Sequence, residues 1–265
     1  MEIYHLIILG LIQGLTEFLP VSSSAHLILL PFLSGWEDQG LVYDVAAHSG
    51  TLAAVIWYFR GDLQDIIRNW SLRWSSNSTS KELMLWYLAV ATIPVGLTGL
   101  LLHDFISTSL RNPQVIAIAS IFFGLILLLS DKTGIRERSF SELSWRDALL
   151  VGFAQVLALI PGTSRSGVTI TAGLMLGMDR QTASKFSFLL AIPVILLATA
   201  YESYKLSTGI YVIDWMSVLI VVLVSFFSAL LSIHFFLKLL ERTGMLPYVI
   251  YRVVLGIVLL FMFKS

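Results

Sequence analysis

The sequence predicts an all-α polytopic membrane protein, with six transmembrane helices and two re-entrant helix pairs arranged as an inverted repeat. Three observations lead there. Hydrophobic residues fill 57% of the 265 positions and charged residues 13%, which leaves too little polar surface to wet a soluble domain of this length. Six apolar stretches approach the length of a bilayer crossing. Two further apolar regions are each cut by a run of a proline and hydroxyl residues, with glycines added in the second, and broken helices survive in a membrane only where protein or a cavity satisfies the freed backbone. The whole of 1–265 reads as one membrane-embedded domain, with pseudo-repeats at approximately 1–130 and 145–265.

Taken in order, the N-terminus Met1-Glu2-Ile3-Tyr4-His5 lacks the basic stretch and small-residue cleavage site of a signal peptide and reads as part of the mature chain. The first interrupted region, Tyr4 to Leu33, is a helix, a break at Pro20-Val21-Ser22-Ser23-Ser24 and a second short helix. A crossing over Asp44 to Phe59 follows, then a polar connection, Gly61 to Ser80, with an amphipathic interfacial piece carrying Leu63, Ile66, Ile67 and Trp70. Leu83 to Leu102 holds no charge and, at about 1.5 Å per residue, covers roughly the 30 Å of a hydrocarbon core. Val115 to Leu129 crosses next, and Ser130 to Ser144 is polar. The second interrupted region, Ala148 to Leu176, breaks at Pro161-Gly162-Thr163-Ser164-Arg165-Ser166-Gly167. Ser184 to Tyr204, Trp215 to Leu237 and Tyr248 to Phe263 complete the six crossings.

Basic residues test this layout, because cytoplasmic loops carry the excess of Lys and Arg. One side collects Arg60, Arg68, Arg73, Lys81, Lys132, Arg136, Arg138, Arg146, Arg180, Lys185, Lys238 and Arg242, against Arg111, Lys205 and Lys264 on the other. That asymmetry emerges only if both interrupted regions return to the side they entered from, the first from outside and the second from the cytoplasm. Both termini then lie outside. The two regions also resemble each other: Gly10-x-x-Gln13 then Pro20-x-Ser22-Ser23, against Gly152-x-x-Gln155 then Pro161-x-Thr163-Ser164. Related halves entering from opposite sides are the mark of an inverted repeat, in which broken helices meet near the midplane and build a site.

Other classes fall away. Seventeen basic residues balance seventeen acidic ones, so no field of one sign favours a nucleic acid. Cysteine is absent, so a bound metal must sit on oxygen or imidazole.

The chemistry concentrates at the breaks. Gln13 and Glu17 are four apart and share a helix face, which ends at Pro20 before a serine run able to cap the next helix. A carboxylate at membrane depth is costly and marks function by default. The bland readings are that Glu17 merely neutralises a distant Arg, that the serines merely cap and that His26 is an interfacial imidazole. In the second break, Thr163, Ser164, Ser166 and Gly167 surround Arg165 ahead of a helix. Hydroxyls, successive backbone N–H groups and a guanidinium there form an anion-binding concavity suited to phosphate, although the spacing and lysine of a Walker loop are missing. Each break lacks a local partner of opposite sign, so Glu17, Ser23 and His26 are expected to converge on Arg165.

With Gly14-Leu-Thr-Glu17-Phe-Leu-Pro-Val-Ser-Ser, Pro161-Gly-Thr-Ser-Arg165-Ser-Gly and Phe186-Ser-Phe-Leu-Leu-Ala-Ile-Pro193, the chain resembles the undecaprenyl-diphosphate phosphatase family associated with bacitracin resistance, from about Leu9 to Phe263. The resemblance implies hydrolysis of undecaprenyl diphosphate to undecaprenyl phosphate and inorganic phosphate, recycling the carrier lipid of peptidoglycan and cell-wall synthesis at the bacterial plasma (inner) membrane. It also implies a site facing the outside and a divalent cation, Mg2+ or Ca2+. By position, the family's acidic motif falls on Gln13 and Glu17, its serine on Ser23, its histidine on His26 and its arginine motif on Ser164, Arg165 and Ser166. Many members have a second carboxylate where this chain has Gln13, whose carbonyl can still ligate a hard cation beside Glu17. Asp44 and His48 match a polar pair of the family and border the site or cap a helix.

On this reading Glu17, Ser23, His26 and Arg165 are catalytic. Gln13, Ser22, Thr163, Ser164, Ser166 and Gly167 join Arg165 in binding the head group. Ser23 is the first choice of nucleophile, with attack by water the alternative, Glu17 or His26 the base and His26 the acid. The expected partners are a polyprenyl diphosphate lipid and membrane lipids, with a homodimer left open and no nucleic acid. A transporter or lipid flippase using the same midplane site is the competing function.

Overall fold

Backbone groups inside a bilayer find partners only within their own segment, so a chain this apolar folds as helices. The structure, a computed structural model, describes residues 2–70, 80–209 and 213–263. These form α1 (Ile3–Glu17), α2 (Ser23–Ser34), α3 (Leu41–Tyr58), α4 (Arg60–Arg68), α5 (Ser80–Leu101), α6 (His103–Ser109), α7 (Pro113–Thr133), α8 (Trp145–Val156), α9 (Arg165–Met175), α10 (Arg180–Thr208), α11 (Trp215–Thr243) and α12 (Leu246–Met262). No β-strand occurs among the described residues.

Among the described residues, four helical segments are long and apolar enough to cross a membrane: Glu82–Leu101, Pro113–Thr133, Arg180–Thr208 and Trp215–Thr243. They match four of the six expected crossings. The other two fall on α3, of 18 residues, and α12, of 17. α1, α2, α8 and α9 have 15, 12, 12 and 11 residues, each short of the roughly 20 that span a bilayer. The connection 61–80 contains the expected amphipathic piece over its described residues. That piece is α4, on which Ile66 is buried and Ile67 exposed, with exposed Trp70 just past its end. Arg73 lies outside the described residues, as does Lys264.

Small residues set the helix contacts, as they do where lipid removes the hydrophobic drive for association. α1 lies so close to α11 that a Cβ on Gly14 would stand 1.8 Å from Ser228 Oγ, and Ser228 and Ser232 donate to the carbonyls of Gly10 and Leu15. α8 approaches α5 in the same way, with Gly152 against the backbone of Ala91. α3 packs on α11 and on α10, α5 on α10, and α7 on α12. Phe18, Phe59, Phe188 and Phe236 form the aromatic centre of the main core. At one end of the bundle, ion pairs fasten the polar connections: Arg138 to Asp147, Arg180 to Asp131 at 2.6 Å, and Lys185 to Asp62. Outward faces carry exposed Leu101, Trp215 and Phe261, the surface of a protein whose solvent is hydrocarbon.

Candidate active site

The two breaks have the same local architecture. α2 is capped by Ser22, whose hydroxyl accepts from the Ala25 N–H, and α9 is capped by Ser164, whose hydroxyl accepts from the Gly167 N–H. Both serines hold a left-handed backbone, φ 76° and 73°, which costs a residue with a Cβ about 1–3 kcal/mol. In each, the hydroxyl also pairs with the serine two residues on, Ser24 or Ser166. The turn thereby places the residue after the cap, Ser23 in one break and Arg165 in the other, at the head of its helix. The equivalence Ser22 to Ser164 has the same offset as Gly10 to Gly152 and Gln13 to Gln155. Alignment on the prolines, which pairs Ser22 with Thr163, is therefore one residue out of register with the backbone.

Glu17 is where the breaks meet. Its Oε2 accepts from Ser23 Oγ at 2.6 Å and from Gln13 Nε2 at 3.0 Å. Its Oε1 accepts from Arg165 Nη2 at 3.2 Å, across 148 positions of sequence. Arg165 also donates through Nη1 to the Ser187 carbonyl at 3.0 Å and lies over the Phe18 ring. Ser166 Oγ donates to the Leu19 carbonyl, a second polar link between the breaks. Carboxylate, hydroxyl and guanidinium are thus within direct reach of one another in a nearly closed setting, where Coulombic attraction is strong and water scarce.

The remaining candidates divide. Thr163 is fully buried and its hydroxyl has no hydrogen-bond partner among the described residues. Gly167 gives room, since a Cβ there would stand 2.8 Å from Arg252 Nη1. His26 does not touch Glu17: its Nδ1 donates to the Ser22 carbonyl, and its Nε2 pairs with the Tyr251 hydroxyl, the rings stacked. The imidazole that faces the carboxylate is His48, with Nε2 4.0 Å from Glu17 Oε2. A carbonyl only accepts, so the His48 Nδ1 contact to Asp44 O at 2.8 Å places a proton on Nδ1 and aims Nε2 at the site. Gln39 Nε2 holds the Asp44 carboxylate at 2.9 Å. The i, i+4 spacing of Asp44 and His48 was the available sequence signal, but nothing in it identified the facing helix. Arg252, fully buried behind both breaks, had only its apolar surroundings to mark it.

For a divalent cation, the donors on offer are oxygens: the Glu17 carboxylate, Ser23 Oγ and Gln13 Oε1, a buried acceptor with no partner among the described residues. Among the described residues no group of three or more His, Cys, Asp or Glu side chains could hold a metal. One carboxylate with an amide carbonyl fits a hard cation that takes its other ligands from water and substrate phosphate, and does not fit a closed protein cage.

The sequence profile described as bacitracin resistance protein BacA matches residues 6–258. The chain is 54% identical, with both sequences covered in full, to "Undecaprenyl-diphosphatase 2" of Stutzerimonas stutzeri (strain A1501). It is 51% identical to "Undecaprenyl-diphosphatase" of Marinobacter nauticus, and 50% to "Undecaprenyl-diphosphatase 1" of Pseudoalteromonas translucida, each over 97% of both chains.

Proposed function

The chain belongs to the bacitracin resistance protein BacA family, and on that footing we propose that it hydrolyses undecaprenyl diphosphate to undecaprenyl phosphate and inorganic phosphate, with Glu17, Ser23 and Arg165 as the reacting centre. The observation that carries the assignment of residues is the junction at Glu17, where a hydroxyl at 2.6 Å and a guanidinium at 3.2 Å meet one carboxylate. It is an integral bacterial membrane protein whose hydrolysis supports cell-wall synthesis and bacitracin resistance. A transporter needs no hydroxyl hydrogen-bonded to a carboxylate base, and neither the family nor its relatives' names favour transport.

The steps follow from the contacts. The Ser187 carbonyl keeps Arg165 aimed at the centre while its Glu17 contact is exchanged for phosphate oxygens, which a guanidinium grips in two-pronged fashion. Ser23 Oγ gives its proton to Glu17 and attacks the terminal phosphorus. The bond to the bridging oxygen breaks and undecaprenyl phosphate leaves. Glu17 passes that proton to the departing phosphate oxygen; it then takes a proton from water, which attacks phosphoserine, and returns it to Ser23 Oγ as the phosphorus–oxygen bond breaks and inorganic phosphate is released. His48 stands where it can relay that proton. His26, held by Tyr251, orients the first turn of α2. Thr163, Ser164, Ser166 and the first amides of α9 line the phosphate side. A divalent cation held by Glu17 and the Gln13 carbonyl would neutralise charge on the phosphate oxygens.

The same reading places six crossings and two re-entrant pairs in an inverted repeat over roughly 1–130 and 145–265. It is supported by the twin left-handed serine caps and by the matched packing of α1 on α11 and α8 on α5. As the family resemblance implies, the same reading has the site open to the outside. Release of inorganic phosphate from undecaprenyl diphosphate by the purified protein tests the function. Turnover that Glu17→Gln abolishes is expected, whereas lipid movement without phosphate release would establish the transport reading instead.

A further inference from the structure

Arg252, on α12, is fully buried and meets only backbone carbonyls among the described residues. Its Nη2 donates to Thr163 O at 2.8 Å and Gly162 O at 2.9 Å in the second break, and its Nη1 to Pro20 O at 3.4 Å in the first. Nε donates to Ser120 O at 3.2 Å on α7, and Ser120 Oγ in turn donates to Gly162 O. An arginine at membrane depth without a carboxylate is costly and is kept where carbonyls and a function compensate it. The chain makes room for it, since a Cβ at Gly124 would lie 3.4 Å from its side chain and one at Gly167 would lie 2.8 Å from Nη1.

We infer that Arg252 is a positioning residue of the reaction: it ties the carbonyl of Pro20 to those of Gly162 and Thr163, and so sets the separation across which Ser23 and Arg165 act on the diphosphate. Peptide planarity explains how. Fixing the Thr163 carbonyl fixes the N–H of the same peptide unit, that of Ser164, and hence the left-handed turn that launches Arg165. Pro20 stands two residues before Ser22, the matching turn that launches Ser23. One planar fork thus reaches the chain ahead of both caps. A lysine ammonium is a point donor and cannot span both breaks and α7 at once. The inference rests on the phosphatase reading of the joined breaks.

The test is Arg252→Lys and Arg252→Met in the full-length protein, with two readouts. In turnover of undecaprenyl diphosphate, kcat should fall by about 100-fold, the scale of an ångström's misplacement, while KM stays within threefold. The second readout uses the absence of cysteine. Spin labels at Leu33→Cys and Met175→Cys, exposed positions on α2 and α9, report the separation of the helices that follow the breaks. That distance distribution should broaden or shift in both variants and stay unchanged in Arg165→Lys. Turnover within threefold of the parent in both variants, or lost turnover with an unaltered distribution, overturns the inference. Should Arg252→Met fail to fold, Arg252→Lys carries both readouts. A parent protein with no turnover would defeat the phosphatase reading, whereas the distance readout is independent of it.

Discussion

Arg165→Lys is expected to lower kcat/KM for undecaprenyl diphosphate by about 100-fold or more, on the scale of removing one transition-state donor. The arginine does two things at once: Nη1 is anchored on the Ser187 carbonyl and Nη2 reaches the Glu17 carboxylate. A lysine is shorter in reach and carries its charge at one atom, so it can keep the Glu17 contact or the Ser187 contact, and in neither pose presents a planar pair of donors to phosphate oxygens. Charge is conserved in the substitution, which keeps Glu17 from being left alone in a low-dielectric setting and guards the fold. The loss should therefore appear in steady-state kinetics with the melting temperature of the detergent-solubilised protein little changed. Activity within threefold of the parent would mean that Arg165 serves only to neutralise Glu17.

Ser23→Ala is expected to remove turnover by about 1,000-fold or more while the lipid still binds. Ser23 is the only hydroxyl bonded to Glu17 among the described residues, and its 2.6 Å contact is that of a proton already directed at a base. The neighbouring Ser22 cannot substitute, because its Oγ accepts from the Ala25 N–H and its left-handed backbone belongs to the cap. The cap and the proposed nucleophile are thus separate residues, so Ser23→Ala leaves the first turn of α2 in place. Binding measured by retention of radiolabelled lipid on the immobilised variant should match the parent. Hydrolysis by Ser23→Ala near the parent rate would make water the attacking group and leave Glu17 as its base.

Much of this was legible in the chain itself, and the limits are physical. The breaks announced themselves because Pro20 with its serines, and Pro161 to Gly167, interrupt apolar runs that had no local reason to stop. The joining of Glu17 to Arg165 followed from the cost of leaving either charge unpaired at depth. Which serine caps did not follow, since Ser22 and Ser23 have equal capping propensity and only the left-handed turn distinguishes them. Proline punctuation misled the pairing of the halves by one residue, because Pro20 and Pro161 sit at different points of otherwise equivalent turns. Histidine was ambiguous for a similar reason. His26 lies beside the motif in sequence, but its Nε2 is taken by Tyr251, 225 positions away, while His48 reaches Glu17 from α3. Arg252 required the whole bundle, as its partners are carbonyls that carry no sequence signature.

The central claim, that the two breaks form one phosphate site, is tested most directly by an experimental structure with a non-hydrolysable methylene diphosphonate analogue of the lipid. The terminal phosphonate is expected between the breaks, its oxygens on Arg165 and on the hydroxyls and amides at the head of α9, with Ser23 Oγ facing the phosphorus opposite the bridging carbon. A diphosphonate lodged away from Glu17 and Arg165, or held by one break while the other faces a separate cavity, would contradict it.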